Sequence, residues 1–178
     1  LQAGDSIVTR VIRPENAAGR LRYHTSPDFL PPWTPGVTMA GLDKNIPNPT
    51  EIKLHQRSRL LEIHFTDGSH FKLPCEYLRV FSPSAEVRGH GPGQEVLQTG
   101  KRNVEITAIE AVGNYAIKPV FSDGHDSGIY SWDLLYHLGV HQAEMWQAYL
   151  DRLDAEGKNR DVDTTTQPPK SGGGCGSH

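Results

Sequence analysis

The sequence predicts an α+β fold of mainly antiparallel β-strands in two β-hairpin–helix units, with a C-terminal helix packed on the sheet. Two stretches, Leu61 to Val80 and Asn114 to Leu138, carry this prediction. Each runs in the same order through a strand, an Asp-Gly turn, a second extended piece and a helix. Asp-Gly between apolar-alternating runs is a strong short-range hairpin signal, and a type I′ turn is expected at both. The repetition fits either two ordinary hairpins or an internal duplication.

In the first unit, apolar residues alternate with Glu62 and His64, which we expect to point to water. The alternating run Glu51 to Gln56 predicts a preceding strand whose apolar residues continue the same buried face. Pro74 is expected to open a short helix, since proline is tolerated in a first helical turn.

In the second unit, Val104 to Val112 and Asn114 to Phe121 are predicted to pair as strands. Ser131 is the expected N-cap of a helix that Gly139 would stop, because serine and glycine favour these two ends. The last helix is predicted to lay one apolar stripe on the sheet. The residues of this stripe are Ala143, Trp146, Leu150 and Leu153.

Three segments are expected along the chain. Residues 1–48 are predicted to be a weakly ordered N-terminal extension, rich in proline and largely upstream of the first methionine, Met39. Only Ser6 to Arg13 within it alternates like a strand. Residues 49–156 are predicted to fold, and residues 157–178 have the composition of a flexible Gly/Pro-rich tail ending in Cys-Gly-Ser-His.

The composition narrows the class of function. A net charge of −3 and a pI of about 6.3 give no general electrostatic basis for binding nucleic acid. No apolar run approaches the ~18 residues of a membrane helix, so no membrane association is expected. Two cysteines exclude a disulfide framework and suit a reducing compartment. We therefore expect a cytoplasmic protein.

His125 is the first candidate for chemistry, because it directly follows the second Asp-Gly turn, where a side chain is expected to be exposed. Flanking Asp123 and Asp126 could orient its imidazole as a metal ligand. The alternative is a turn histidine bonded to its neighbours. His137 and His141 have metal-ligand spacing, but the glycine between them is expected to break the helix, and we discount them.

The loop from Ser82 to Lys101 is long for a compact domain, and such loops are usually functional or mobile. Basic residues outnumber acidic ones around it, which is compatible with contact with an anion or an acidic partner but is more typical of a solvated face. The candidate partner-binding residues are Arg79, Ser82, Ser84, Arg88 and His90.

The tail carries Cys175 and His178, a Cys-x-x-His pair on a Gly-rich tether. A thiolate and an imidazole can hold a soft metal, but two ligands do not complete a tetrahedral site. The pair could lend ligands to a partner's metal or cluster, or be an unstructured end with a free thiol. Cys75, between apolar neighbours, is expected in the core.

Two long segments resemble the gamma-butyrobetaine hydroxylase-like N-terminal domain family. They are PTEIKLHQRSRLLEIHFTDGSHFKLPCEYLRVFSPSAEVRGHGPG and VEITAIEAVGNYAIKPVFSDGHDSGIYSWDLLYHLG, which together cover Pro49 to Gly139. The resemblance implies an α+β fold, with small stand-alone members of no settled activity.

In carnitine-pathway hydroxylases, this domain holds a structural zinc through three cysteines and a histidine. The resemblance places that histidine at His125 and the cysteines at Ser82, Ser84 and Val87. Hydroxyls and a valine cannot replace three thiolates, so structural zinc is not expected. None of the nine histidines has Asp or Glu two places on, as the iron triad of the oxygenases usually requires, so hydroxylase activity is not expected either.

A related domain lies at the C-terminus of plant Mrp-type P-loop ATPases that act as iron–sulfur scaffolds. The leading hypothesis is therefore a non-catalytic accessory module linked to iron or iron–sulfur protein maturation. It would contact a protein partner. The only cofactor expected is iron or an iron–sulfur cluster, bound through His125 and the tail. A metal-free interaction adaptor is the alternative, followed by a part of an oxygenase-type oxidoreductase system.

Overall fold

Seven strands and four helices form within residues 7–10, 46–89 and 94–164, which are the residues that the structure, a computed structural model, describes. In chain order the elements are β1 (Ile7–Arg10), β2 (Pro49–His55), β3 (Leu60–Phe65), β4 (His70–Pro74), α1 (Cys75–Val80), α2 (Ala85–Arg88), β5 (Ile106–Val112), β6 (Ala116–Phe121), β7 (Tyr130–Ser131), α3 (Trp132–Val140) and α4 (Gln142–Ala155). The predicted α+β class, with antiparallel strands and a C-terminal helix, is confirmed.

The first sheet is antiparallel with strand order β1-β2-β3-β4. Its register places Ile52 opposite Ile63 and Leu54 opposite Leu61, so the predicted alternation brings the apolar residues to one face. All four side chains are buried. The strand predicted within residues 6–13 is present as β1, which pairs with β2.

The outer face of this sheet is less exposed than the alternation suggests. The carboxylate of Glu62 contacts Nε2 of His55 at 2.8 Å and Nε2 of His64 at 2.9 Å. The His64 ring stacks on that of His70 across the strands, with centroids 5.5 Å apart. The expectation that Glu62 points to water is therefore wrong, because neighbouring imidazoles cover its carboxylate.

Both Asp-Gly turns are present and have the same geometry. Gly68 and Gly124 have φ of +87° and +85°, whereas neither preceding aspartate has a positive φ. In each turn the glycine N–H donates to the phenylalanine three residues earlier, at 3.1 Å. This is a type I turn followed by a left-handed glycine, which forms three-residue hairpin loops. The expected type I′ turn is therefore wrong, since it requires two positive φ values.

Helix α3 runs through Gly139 and ends at Val140, so the predicted stop at Gly139 is wrong. The glycine is required for packing instead: a Cβ at this position would lie 2.3 Å from the Phe71 ring. Ser131 occupies the N-cap position with an extended backbone, but its side chain makes no capping hydrogen bond. Tyr77 of α1 donates its hydroxyl hydrogen to the Leu138 carbonyl at 2.9 Å, which ties α1 to α3.

The buried stripe of α4 consists of Met145, Tyr149 and Leu153. Trp146 and Leu150 flank it and are partly buried, but Ala143 is exposed, which corrects its predicted place in the stripe. Tyr149 also makes a polar contact that an apolar residue could not make: its hydroxyl donates to the Gln98 carbonyl at 2.9 Å. Within the described ranges, no helix has both the length and the apolar character needed to cross a bilayer.

The second sheet is antiparallel with order β5-β6-β7, and a register shift lies between Ile106 and Ala108. Both sheets and three helices contribute to one apolar core. Its largest fully buried side chains are Tyr77, Tyr130, Phe121, Leu61, Ile63, Leu73, Leu78, Ile106, Ile117, Leu135, Leu138 and Met145.

The chain beyond α4 packs on the domain as far as residue 164. Arg160 donates from Nε to Glu76 at 2.7 Å, and its guanidinium lies 4.9 Å from the centroid of the Trp146 ring. Asp163 accepts from Lys101 Nζ at 2.8 Å. These contacts extend the packed chain past the predicted boundary at residue 156. They could not be predicted, because the sequence of this segment does not indicate its distant partners.

Candidate functional site

His125 closes the second Asp-Gly turn. Its carbonyl oxygen accepts the Phe121 N–H at 2.9 Å, and its own N–H donates to Oδ1 of Asp123 at 3.3 Å. The imidazole then turns inward, with its ring centroid 5.9 Å from that of Phe121. Only 3% of the side chain is exposed. The expected exposure of His125 is therefore wrong, because the loop after α1 covers the ring.

Both ring nitrogens of His125 are engaged. Nε2 lies 2.8 Å from Oγ of Ser82, and Nδ1 lies 3.1 Å from Oε2 of Glu86. A carboxylate can only accept, so the network assigns the proton to Nδ1 and leaves Nε2 to accept the serine hydroxyl hydrogen. Glu86 also accepts from Ser127 at 3.4 Å. The imidazole therefore joins the loop after α1 to the turn before β7.

The acid–imidazole–hydroxyl chain has an unusual distribution of exposure. Ser82 is 1% exposed, whereas the Glu86 side chain is 71% exposed. Gly128 closes over the hydroxyl so tightly that an added Cβ would lie 2.5 Å from Ser82 Oγ. The hydroxyl is therefore shielded and the carboxylate faces solvent, which is the reverse of the order in serine hydrolases, where the acid is buried.

Burial lowers the pKa of His125 below its ordinary value, and the nearby Arg79 charge lowers it further, against the opposing effect of Glu86. The folded state therefore favours the neutral ring. The unfolded chain takes up a proton near pH 6.5, so the contribution of His125 to stability is complete above that pH and falls as the pH drops through it.

We expect His125→Gln to flatten the decline of unfolding free energy between pH 7.5 and about 5. Urea denaturation across this range measures the slope. The His70→Gln variant, which removes an exposed imidazole, is the matched control. A His125→Gln profile as steep as that of His70→Gln would contradict the assignment of a buried neutral ring.

The residues at the zinc-site positions are brought together, but their donors do not fit Zn²⁺. Ser82 Oγ is bonded to His125, and it also accepts the Ser84 N–H at 3.4 Å. Ser84 and Val87 are buried close by in the chain. Zinc in such sites requires thiolates, imidazoles or carboxylates, and here it would meet two neutral hydroxyls and a valine side chain. At these positions, the hydrogen bond between Ser82 and His125 joins the loop after α1 to the turn that contains His125.

A network of buried charges lies on the other side of the turn. Oδ2 of Asp123 accepts from Arg79 Nε at 2.9 Å and lies 3.2 Å from Lys101 Nζ. Arg79 also donates from Nη1 to Gln98 at 3.1 Å. Partial burial opposes ionisation of Asp123, but the two cations outweigh it and hold the pKa of the carboxyl below its ordinary value. Asp123 therefore organises the turn and the loop together.

The predicted partner-binding residues divide into two groups. Arg79, Ser82 and Ser84 are buried, and Arg79 and Ser82 bind the loop to the domain, so a partner that docks on the folded chain would not contact these three residues. Arg88 is partly exposed and remains a candidate. His90 lies outside the described residues.

Cys175 and His178 also lie outside the described residues. Cys75 is 1% exposed, which confirms its predicted place in the core, and burial raises the pKa of its thiol to about 11. Across residues 7–10, 46–89 and 94–164, no three His, Cys, Asp or Glu side chains are grouped so that they could hold a metal ion.

His137 and His141 keep their i,i+4 spacing, because the helix continues through the intervening glycine. Their ring centroids are 4.6 Å apart, and burial together with the second ring lowers the pKa of His137. The reason for discounting the pair was therefore wrong, although two imidazoles still do not complete a metal site.

The sequence does not reveal two long-range contacts of the site region, that of Glu86 with His125 and that of Arg160 with Glu76. Glu86 lies 39 residues from His125, and Arg160 lies 84 residues from Glu76. The only local signal was the excess of basic residues around the loop, and it did not indicate which acids would pair with them.

Comparisons with known proteins place this geometry in context. The family model described as gamma-butyrobetaine hydroxylase-like, N-terminal, matches residues 52–136. Two proteins solved by NMR in solution are 42% and 48% identical to this chain, each with a TM-score of 0.59. The matches cover 70% and 72% of this chain and 98% and 97% of those proteins.

A third solved structure is similar in sequence. It is the crystal structure of a protein of unknown function from Acidithiobacillus ferrooxidans ATCC 23270, which belongs to the DUF971 family. It is 36% identical, with a TM-score of 0.43, over 52% of this chain and 92% of that protein. No curated protein matches the chain.

Proposed function

Because the chain belongs to the gamma-butyrobetaine hydroxylase-like N-terminal domain family, we propose that it is a non-catalytic accessory module that binds a protein partner and acts in iron or iron–sulfur protein maturation. Its interaction surface is the outer side of the loop from Ser82 to Lys101, and its tail lends metal ligands.

The reversed exposure of the Glu86–His125–Ser82 chain carries the non-catalytic part of the proposal. A nucleophilic serine must reach substrate, and the Ser82 hydroxyl is 1% exposed and lies beneath Gly128. The imidazole, with both nitrogens bonded, is a structural cross-link. The family's hydroxylase chemistry also lacks its His-x-Asp/Glu iron motif in this sequence.

The same cross-link supports a binding role for the loop. His125 holds the loop through Ser82, and Val96 N–H donates to the Val87 carbonyl at 2.9 Å on the return. The backbone of the described part of the loop is therefore fixed before a partner arrives, which reduces the entropy lost on binding. Ala85 and Glu86 are exposed on its outer side.

The iron part of the proposal rests on the tail. Cys175 and His178 offer one thiolate and one imidazole, donors that suit iron–sulfur clusters and first-row transition metals. Because two ligands are too few, the remaining ligands would come from the partner or its cluster. His125 is not included, because both of its ring nitrogens are already bonded.

Titration of the purified, untagged chain with Fe²⁺ or a reconstituted cluster, followed by absorbance and metal analysis, tests the iron part. We expect binding that Cys175→Ala and His178→Ala each weaken, with the core variant Cys75→Ala as the control. Absence of binding, or binding unchanged in both tail variants, would remove the iron part. A co-purifying partner that survives chelator and deletion of residues 165–178 would favour the metal-free adaptor instead.

A further inference from the structure

Among the described residues, one cation in the loop region has no counter-charge. Four basic side chains surround the loop: Arg79, Arg88, Lys101 and Arg102. Arg79 and Lys101 share Asp123, and Arg102 contacts Asp161 at 2.7 Å. Arg88 forms neither a hydrogen bond nor an ion pair through its side chain with the described residues. Of these four basic side chains, Arg88 is therefore the one without a counter-charge among the described residues.

The surroundings of Arg88 make this lack of a partner costly. The side chain is half-buried, and burial lowers the pKa of the guanidinium. Its electrostatic neighbour is the Tyr130 hydroxyl, whose hydrogen is donated to the Leu78 carbonyl at 2.6 Å. A partly desolvated charge is normally paired, because removing it from water is unfavourable without a compensating contact.

A second unsatisfied group lies one helical turn away. Ser84 is 5% exposed, and its hydroxyl is buried without a hydrogen-bond partner among the described residues. The Arg88 N–H donates to the Ser84 carbonyl at 2.9 Å, so the two residues are i,i+4 neighbours on one turn. The buried hydroxyl is itself beyond the reach of a partner, but the Ser84 amide lies on the same turn as Arg88 and can report a ligand bound there.

We propose that Arg88 recognises a side-chain carboxylate in an acidic segment of the protein partner. This inference rests on the proposed function and specifies the chemistry of that partner. The planar guanidinium can donate two parallel hydrogen bonds to a carboxylate.

The charge balance favours a carboxylate over a phosphate group. Within the described part of the loop region, one cation is uncompensated, which matches a single negative charge. Glu86, two residues before Arg88 and 71% exposed, adds a negative charge on the same turn and disfavours a dianion. Phosphate sites usually collect several cations, whereas Arg79 is already committed to Asp123.

Titration of the full chain followed by NMR tests the proposal. The probes are sodium acetate, a short polyglutamate peptide and inorganic phosphate, each against sodium chloride at equal ionic strength. We expect saturable shifts of the Arg88 Nε–H and the Ser84 amide with acetate and, more tightly, with polyglutamate. Arg88→Gln should weaken polyglutamate binding roughly tenfold or more, since a charged hydrogen bond contributes at least that much.

Arg57→Gln, in the turn between β2 and β3, is the matched control and should bind polyglutamate as the parent chain does. Shifts no larger than those of chloride, or equal weakening by both variants, would overturn the proposal. Tighter binding of phosphate than of acetate would overturn the assignment of a carboxylate. Neither outcome touches the iron titration, so failure of this inference is distinguishable from failure of the proposed function.

Thermal unfolding of Arg88→Met provides a second measurement. Methionine keeps an apolar stem of similar length and removes the unpaired charge. We expect the midpoint to rise by about 2–4 °C in the absence of ligand, the shift that corresponds to a modest stabilisation in a chain of this size. A lowered midpoint would show that Arg88 stabilises the fold itself and would overturn its assignment as a binding residue.

Discussion

We expect Asp123→Ala to lower the free energy of unfolding by about 3 kcal/mol, because it leaves buried positive charge without its counter-charge. The carboxylate is shared by Arg79 and Lys101, whose side chains are only 9% and 8% exposed. The value lies at the lower end of the range for broken buried pairs, since Lys101 retains Asp163. Urea denaturation at pH 7 measures the change.

Asp126→Ala is the matched control, since Asp126 is an exposed acid three residues further on. Its variant should change stability by less than about 0.5 kcal/mol. The pKa of Asp123 is lowered in the folded state, so its contribution is present above about pH 4 and is lost as the pH falls through the folded value. Equal effects of the two variants at pH 7 would show that the buried network is not a major source of stability.

We expect Gly139→Val to lower the free energy of unfolding by about 2–3 kcal/mol, because the new side chain would overlap Phe71. A Cβ alone would lie 2.3–2.7 Å from three atoms of that ring. The ring cannot swing aside freely, since it makes edge contacts with Phe65 and Tyr136 at centroid distances of 5.8 and 5.5 Å. Helix propensity alone predicts a slight gain from valine.

A double-mutant cycle with Phe71→Leu separates packing from helix propensity. If the overlap is responsible, Phe71→Leu should make room and recover about 1 kcal/mol or more of the loss caused by Gly139→Val. Additive effects of the two substitutions would instead place the cost in the backbone of α3.

The local features of the first hairpin could be predicted because each depends on near neighbours. Alternation fixed which of Leu61 and Glu62 faces the core, and Asp67-Gly68 marked the turn. The turn type was wrong, because Asp-Gly is compatible with several hairpin loops and the flanking hydrogen bonds decide between them. Gly139 was misassigned for a related reason: a glycine can end a helix or admit a neighbour's ring, and only the position of Phe71 distinguishes these roles.

The candidate site was predicted in part. The position of His125 after a glycine turn marked it as a residue of interest, but its burial depends on Ser82 and Glu86, which lie 43 and 39 residues away. Likewise, the sequence showed the excess of basic residues around the loop. It did not show that, among the described residues, Arg88 is the one left without a counter-charge. Charge counts cannot reveal pairing, since pairing is set by distances between remote segments.

The sequence by itself determined the α+β class, the two turns, the core strands and the family to which the chain belongs. Each of these features depends on residues that are close together in the sequence or on long segments that match the family. The tertiary structure alone decided that the His125 imidazole is a buried cross-link, that Asp123 joins two cations and that Arg88 has no counter-charge among the residues the structure describes. The physical reason is that burial and charge pairing arise from contacts between distant segments, whereas alternation and turn formation arise from adjacent residues.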